Sequence, residues 1–512
     1  MKTIFSVLTA IVTLGIAAAA GQAAPHERPN VVFILADDLG YGDLSCYGAT
    51  KVSTPNIDSL AKDGRRFTDA YSPSSVCTPS RYNLLTGRYA WRTWMQSGTA
   101  WAYDPLLIEP DRFTLADLFK AQGYQTALVG KWHLGFGTPD MEGWSDVVGP
   151  DYNRELRPGP LEVGFDYFWG FPHVSQLPHI IIENHRVLGL SPDDPIQIVA
   201  DKRPEHRLDY LNRTRIGAAN LQVKGGESAR YEHEELSDRL TDRAVKFIRD
   251  DSGDRPFFLY VAHRNIHGPL IPAPRFGDTS GIGKYGDFLN EFDASIGKIL
   301  SAIDDKGIRD NTLVIFTSDN GGVIEYRPID YASVEGHFPN APLRGQKTGV
   351  YEGGVRVPLI ARWPGHIPAG TQDESLIALT DVIATFAEFF DYSLPADCGE
   401  DSVGFLASLK GTGRGESRRR SIVCDSYTGT MAIRSGKWKL IQGQHGGGAR
   451  TQNRPYSDEL PPVQLYDLSK DIREESNVAA MFPAKVNELT RLLQQTLARP
   501  SSRLATKPLV DE

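Results

Sequence analysis

The sequence predicts an α/β fold: a large, mostly parallel (mixed) sheet sandwiched by helices, with a smaller C-terminal subdomain of antiparallel strands and a helix. Three observations predict it. Apolar runs rich in Val and Ile alternate with helical stretches over roughly 350 residues. The first run, Asn30–Ala36, reads N-V-V-F-I-L-A with no charge inside it, as a strand buried on both faces does. From about Leu394 the alternation stops, and Gly- and Arg-rich turns lead into short strand-like runs.

The elements follow in order. Asn30–Ala36 ends in Asp37-Asp38-Leu39-Gly40. Thr54-Pro55-Asn56 opens a helix that runs through Ile57 to Lys62 and is stopped by Gly64. Leu115–Ala121 is a short helix before Gly123, and Thr126–Gly130 returns as a strand. Helix Ser237–Asp250 precedes strand Phe257–Ala262. Helix Phe288–Lys306 precedes strand Thr312–Thr317, which ends in Ser318-Asp319-Asn320-Gly321-Gly322. Val357–Arg362 is a further strand, with helix Asp381–Phe390 after it. Beyond Leu394, Thr430–Arg434 and Trp438–Gln442 read as short strands, Gln464–Leu468 follows, and a helix runs from about Ala484 to Leu497. In parallel sheets the ligand site lies beyond the carboxyl ends of the strands. Four such ends here carry polar groups: Asp37-Asp38, Lys131 with His133, His263 with His267, and Asp319-Asn320.

Bulk properties narrow the class. The chain has 512 residues, 40% hydrophobic, enough for one large core and a smaller one. Its formal net charge of −9 leaves no electrostatic footprint for nucleic acid. The basic stretch Arg414–Arg420 sits among Gly and Ser and reads as a solvated loop. Residues 1–24 read as a signal peptide: Lys2, an apolar run Ile4–Ala20, then small residues through Pro25. No later segment is long and apolar enough to span a bilayer. The expectation is an exported protein, periplasmic or secreted (lysosomal only in an animal host), without stable membrane insertion. Residues 25–393 then form the catalytic domain and 394–512 the C-terminal subdomain. Asn212-Arg213-Thr214 is a glycosylation sequon, meaningful where the host glycosylates.

Four cysteines, Cys46, Cys77, Cys398 and Cys424, are too few for a disulfide scaffold and lack zinc-ligand spacing. Whether Cys398 and Cys424 pair is left open, and Cys46 reads as a buried free thiol. Adjacent Asp37 and Asp38 repel each other unless a cation sits between them, although a simple turn also fits. With Asp319 and Asn320 they make a hard-oxygen set suited to Ca²⁺ or Mg²⁺. Cys77 stands at the mouth of a helix whose first turn holds Pro79. That position favours bound anions and a thiolate, although inert packing is the commoner fate of a lone cysteine. Lys131 and His133 stand two residues apart after a strand, so alternation points both to one side. Trp91, Trp94 and Trp101 with Tyr103 suit either core packing or stacking on a substrate ring.

Taken together, the segments resemble the type I, formylglycine-dependent sulfatases, a branch of the alkaline phosphatase superfamily that includes arylsulfatases and carbohydrate sulfatases. The resemblance rests on ordered motifs: Asp37-Asp38, C-T-P-S-R from Cys77 with L-L-T-G-R to Arg88, and G-K-W-H-L-G from Gly130. The His-rich stretch before Pro269, S-D-N-G-G from Ser318, L-R-G-Q-K from Leu343 and Y-E-G-G-V-R-V-P from Tyr351 complete it. A-I-R-S-G-K-W-K-L-I and L-Y-D-L-S-K-D look like the family's C-terminal subdomain. The resemblance implies an alkaline-phosphatase-like sheet and a sulfuric ester hydrolase.

It further implies that a maturase oxidises Cys77 to formylglycine, whose hydrate attacks sulfur and then eliminates sulfate. Asp37, Asp38, Asp319 and Asn320, with residue 77, would hold Ca²⁺, with Mg²⁺ the alternative. Arg81 would hold the diol or a metal-ligating carboxylate, and Lys131 and Lys347 would clamp the sulfate charge. His133 is the implied base and His267 the implied acid. His263 matches less cleanly and reads as structural. The stretch Gly164–His173 looks like a family-type loop region. From it and the residues beyond, His173, Gln176 and His179 are candidates for substrate binding. The expected partner is a sulfated saccharide; oligomeric state stays open. Two rivals remain: a phosphodiester or phosphonate monoester hydrolase of the same superfamily, and a non-catalytic sugar-binding relative.

Overall fold

The computed structural model describes residues 28–146, 148–200, 208–209, 214–215, 221–326, 329–330, 336–413, 418–449 and 460–503. The signal-peptide reading, the Asn212 sequon and most of the Arg414–Arg420 stretch fall outside the described residues.

The main sheet has ten strands. In chain order they are β1 (Asn30–Ala36), β2 (Arg65–Phe67), β3 (Gln125–Lys131), β4 (Tyr167–Phe171), β5 (Ile182–Glu183), β6 (Arg186–Val187), β7 (Phe257–Ala262), β8 (Thr312–Ser318), β9 (Leu359–Arg362) and β10 (Thr371–Asp373). Their order across the sheet is β10-β2-β9-β8-β1-β7-β3-β4-β5-β6. The five central strands, β8 through β4, run parallel, and antiparallel neighbours extend both sides. β1 lies in the middle and is fully buried along its length, as its unbroken apolar run requires.

Alternation along β1 builds the two faces. Val31, Phe33 and Leu35 enter one core, while Val32, Ile34 and Ala36 enter the other. Helices α1 (Pro55–Lys62), α2 (Cys77–Thr86), α3 (Leu115–Ala121), α4 (His233–Asp250), α5 (Gly283–Asp305), α6 (Glu352–Val355) and α7 (Asp381–Phe389) connect the strands. The first core takes Leu84 and Leu85 of α2, Phe119 of α3 and Phe386 of α7. The second takes Leu60 of α1, Leu240 of α4 and Ile296 of α5. This is the sandwich the sequence predicts.

Helices α4 and α5 begin at His233 and Gly283, several residues before the expected Ser237 and Phe288. Their first turns are polar or Gly-rich and lack apolar periodicity. The expected loop region Gly164–His173 is corrected: its centre is β4, paired in parallel with β3 from Ala127 to Lys131. The β9 strand starts at Leu359, two residues after the expected Val357.

The second sheet comprises β11 (Ser421–Asp425), β12 (Met431–Ser435), β13 (Trp438–Ile441) and β14 (Gln464–Asp467), all antiparallel. Helix α8 (Pro483–Ala498) covers one face, where Leu489 and Leu493 meet Val423, Ile433 and Leu440. Trp91 and Tyr89 join this cluster, so Trp91 is a core residue. The other face packs Ile422, Cys424 and Ile441 against Val350 and Val355 beside α6. Cys398 and Cys424 sit in different cores as free thiols and form no disulfide. Cys46 is free but only partly buried. Among the described residues no helix is long and apolar enough to cross a membrane.

Candidate active site

Register brings the polar strand ends to one rim. Ala36 of β1 pairs with Ser318 of β8, so Asp37 and Asp319 leave the sheet side by side. Leu35 pairs with Ala262 of β7, and Ala262 pairs with Gly130 of β3. Lys131 and the His263–His267 segment therefore emerge beside Asp37. Helix α2 points its first residue, Cys77, at the same place, where Cys77 is 2% exposed. Gly87, left-handed at φ 65°, ends α2 by donating its N–H to Asn83.

One ligand atom from each of Asp37, Asp38, Cys77 and His267 lies within 4.8 Å of the others. Lys131 Nζ donates to both oxygens of Asp37 at 2.9 and 2.6 Å. Lys347 Nζ lies 2.6 and 2.8 Å from the oxygens of Asp38. Arg81 donates to Asp319 Oδ2 from Nη2 at 2.7 Å and from Nε at 3.2 Å, and to the Lys131 carbonyl at 3.0 Å. It lies 3.5 Å from Asp37. Arg81 thus holds the Asp319 carboxylate and stands beside that of Asp37.

Electrostatics divides the carboxylates. Burial pushes the Asp37 carboxyl up, but Lys131, His267, Arg81 and Lys347 together hold it well below the usual carboxylate range. Asp319 is pushed up to about 7, first by burial and then by the charge of Asp37. Burial acts to lower Lys347, but Asp38 and then Cys77 outweigh it and raise the ammonium above its ordinary value.

The donor set suits a hard divalent cation. Asp37 and Asp38 face each other's charge in a buried pocket. Asn320 donates from Nδ2 to Asp38 Oδ1 at 2.9 Å, while its own Oδ1 is buried and has no protein partner. A buried amide oxygen left bare beside two carboxylates is the arrangement an oxygen-seeking cation completes. Asp319 stands at the edge of this set, its oxygens engaged by Arg81 and by the Asp38 N–H.

The histidines sort by their hydrogen bonds. His133 Nε2 lies 3.0 Å from the Ala100 carbonyl. A carbonyl only accepts, so Nε2 carries the proton and Nδ1 keeps its lone pair. That Nδ1 is buried and has no protein partner. Burial first, then Lys131 and Arg81, holds the His133 imidazolium well below its ordinary pKa, so the ring is neutral. His133 does not continue strand alternation after Lys131, because its φ of 57° is left-handed. The turn, not the pleat, aims it. His267 donates from Nδ1 to the Gly268 carbonyl at 2.6 Å and turns Nε2 toward Asp38 Oδ2 at 3.7 Å.

His173 packs edge-on to His133 and to His267, at centroid distances of 4.2 and 5.8 Å. Its Nδ1 accepts from the Ser175 N–H at 3.0 Å. His179 instead packs against Tyr231 and His233, outside the cluster around Cys77. Gln176 Oε1 accepts from the Ala102 N–H at 2.9 Å, beside the stacked pair Trp101 and Tyr103. His263 is fully buried against Phe292, with Nδ1 accepting from the Asn265 N–H, and belongs to the core. Two residues at the site carry no sequence signal. The Ala100 carbonyl orients His133, and Thr78 Oγ1 accepts from the Ala100 N–H at 3.0 Å.

Strain gathers here too. Asp38, His133 and Thr348, next to Lys347, all have positive φ without being glycine. Thr348, at φ 79°, is β-branched, and such a conformation costs of order 1–3 kcal/mol.

Comparison with known proteins places the chain among sulfatases. A family model described as Sulfatase matches residues 29–392. An N-acetylgalactosamine-6-O-sulfatase of Bacteroides thetaiotaomicron is 39% identical over 498 residues, covering 92% of this chain and 94% of the relative. Human arylsulfatase A is 35% identical, covering 94% of this chain and 89% of the relative. A solved structure from work on the metabolism of multiple glycosaminoglycans by Bacteroides thetaiotaomicron superposes with a TM-score of 0.81 at 37% identity. It covers 92% of this chain and 100% of its own.

Proposed function

The chain belongs to the sulfatase family, and from that membership we propose that it removes the 6-O-sulfate from an N-acetylgalactosamine residue of a sulfated glycan. Sulfate-ester hydrolysis itself follows from the family. The sugar and position are supported by the 39% identity to the N-acetylgalactosamine-6-O-sulfatase across nearly all of both chains.

The observation that carries the chemistry is the bare, neutral Nδ1 of His133, a ring that sits near Lys131 and packs against His173. Formylglycine made from Cys77 supplies the hydrated-aldehyde nucleophile, and a divalent cation, Ca²⁺ or else Mg²⁺, supplies Lewis-acid charge at the sulfate. The chain's own residues do the rest. Lys131 and Lys347 place two ammonium groups against the sulfate oxygens, preorganised by Asp37 and Asp38. Arg81 fixes Asp319 and Asp37, so the carboxylates need not reorganise as charge builds. His133 Nδ1 takes the proton from residue 77 when sulfate leaves. His267 Nε2, which lies 3.7 Å from Asp38 Oδ2, gives its proton to the departing sugar oxygen. His173 Nε2–H offers a donor to the substrate from between them. His179, which packs against Tyr231 and His233, is a further substrate contact in this proposal. Export and maturation by a formylglycine-generating enzyme belong to the same proposal, as does a division into residues 25–393 and 394–512.

The test is turnover of 6-O-sulfated, 4-O-sulfated and 3-O-sulfated N-acetylgalactosamine glycans, with matched phosphate esters beside them. Preferential release from the 6-position supports the proposal. Equal rates at another position, or faster phosphate than sulfate release, overturn it.

A further inference from the structure

The motifs that carry the chemistry lie in the main α/β part, yet the site's backbone is fastened from the second sheet. We propose that the turn Asp425–Tyr427, at the end of β11, is a positioning element of the hydrolytic site, with Asp425 as its principal positioning residue. The proposal rests on the sulfate-ester hydrolase reading and adds the C-terminal sheet to its working parts.

Two residues of this turn, Asp425 and Tyr427, hold three catalytic segments. Asp425 bridges to Ser74 in parallel, as an added strand would. Its N–H donates to the Pro73 carbonyl at 3.0 Å, and its carbonyl accepts from the Ser75 N–H at 3.1 Å. The Ser75 hydroxyl donates to the same carbonyl at 3.2 Å, and the Ser74 hydroxyl donates to Asp425 Oδ2 at 3.2 Å. Cys77 follows two residues later. Tyr427 donates its N–H to the Thr348 carbonyl at 2.9 Å, and Thr348 donates its own to the Ser75 carbonyl at 2.8 Å. Lys347 is the residue before. The Tyr427 carbonyl accepts from the Gly98 N–H at 3.0 Å, two residues from the Ala100 carbonyl that orients His133. Nucleophile and clamp are thus each two residues or fewer from this turn's hydrogen bonds, and the base is hydrogen-bonded to a carbonyl two residues from them.

Two features separate this arrangement from ordinary packing. Thr348 is held in its left-handed conformation on three sides: by Ser75, by Tyr427, and by the Ala449 N–H on its hydroxyl at 3.0 Å. A β-branched residue stays there only when its surroundings over-determine it. The second feature is Asp425 Oδ1, buried with no protein partner in a residue that is 2% exposed. A buried polar atom without a partner calls for an explanation, and the place this carboxylate holds against the Ser74–Ser75 backbone supplies one. Burial also pushes the carboxyl up to about 7, so a neutral amide of the same shape should replace it well.

The experiment uses the full chain matured in cells, comparing wild type with Asp425→Ala, Asp425→Asn and Ser74→Ala. It reads kcat, KM, thermal midpoint and formylglycine occupancy at residue 77 by mass spectrometry. A misplacement near 1 Å at a reacting group lowers rate by about a hundredfold. Asp425→Ala should therefore lose about 10- to 100-fold in kcat per formylglycine-bearing molecule, with KM within about threefold, and Asp425→Asn should stay within about threefold of wild type. Wild-type kcat in Asp425→Ala, or an equal loss in Asp425→Asn, overturns the proposal. Should Asp425→Ala fail to fold, Ser74→Ala decides: a fall in kcat at unchanged thermal midpoint supports the proposal, and wild-type kcat overturns it. Failure of the underlying reading is seen separately, as wild type without sulfate-ester turnover.

Discussion

His133 and Ala100 are joined by one hydrogen bond of 3.0 Å, from imidazole Nε2 to a backbone carbonyl, and that bond fixes which nitrogen does chemistry. It commits the proton to Nε2 and leaves Nδ1 as a bare lone pair inside the site. His133→Ala should lower kcat by about 10²–10⁴-fold, the usual worth of a positioned base. Because burial, Lys131 and Arg81 depress this imidazolium, the acid limb it contributes should lie below pH 6.5. A pH–rate profile with that limb above 6.5 would contradict the assignment.

Lys131 and Lys347 should differ in what their loss does to the fold. Lys131 and Asp37 are both fully buried, whereas the Lys347 side chain is 13% exposed. Removing one partner of a buried pair costs about 3–5 kcal/mol. Lys131→Met should therefore lower the thermal midpoint of chelator-treated protein more than Lys347→Met does. Both should reduce kcat/KM by about 10²–10³-fold on a sulfate ester. Equal midpoints for the two variants would show that Asp37 finds another counter-charge.

Chelation should lower turnover, and readdition of Ca²⁺ or Mg²⁺ should restore it. Asn320→Ala deletes the bare buried oxygen and should weaken the cation's affinity by about 10-fold or more, read by calorimetry. Elemental analysis finding stoichiometric zinc in the active protein would contradict the oxygen-donor argument.

His263 tests the core reading by linkage. Burial depresses its imidazolium from 6.5 to about 3, so above pH 6.5 folded and unfolded chains bind the same proton count at this residue. Below 6.5 the unfolded chain binds more, so this contribution to stability is lost as pH falls toward 3. Thermal midpoints of wild type and His263→Gln should converge over that window. A gap that stays constant from pH 7 to pH 4 would show that His263 does not titrate as buried.

The site was legible because its ligands sit directly after strands that are unbroken apolar runs. Asp37 and Asp319 follow β1 and β8 with no intervening loop, so contiguous sequence carries their geometry. The β4 strand is hidden because Gly164–His173 mixes aromatics with Gly, Asp and Pro and shows no alternation, and β2, β5, β6 and β10 are too short for any period to show. Nothing local marks Asp425 or Ala100, whose contacts span 351 residues to Ser74 and 33 to His133. Trp91 shows the converse, an aromatic that suits a sugar platform in sequence and is claimed by the second sheet in space.

Everything above turns on residue 77. Mass spectrometry of the peptide containing Cys77, from protein with measured sulfate-ester turnover, tests it most directly. The account predicts a peptide in which the thiol has been exchanged for an aldehyde that a hydrazide captures, in proportion to activity across preparations. A fully intact Cys77 thiol in protein turning over at its full rate would contradict it.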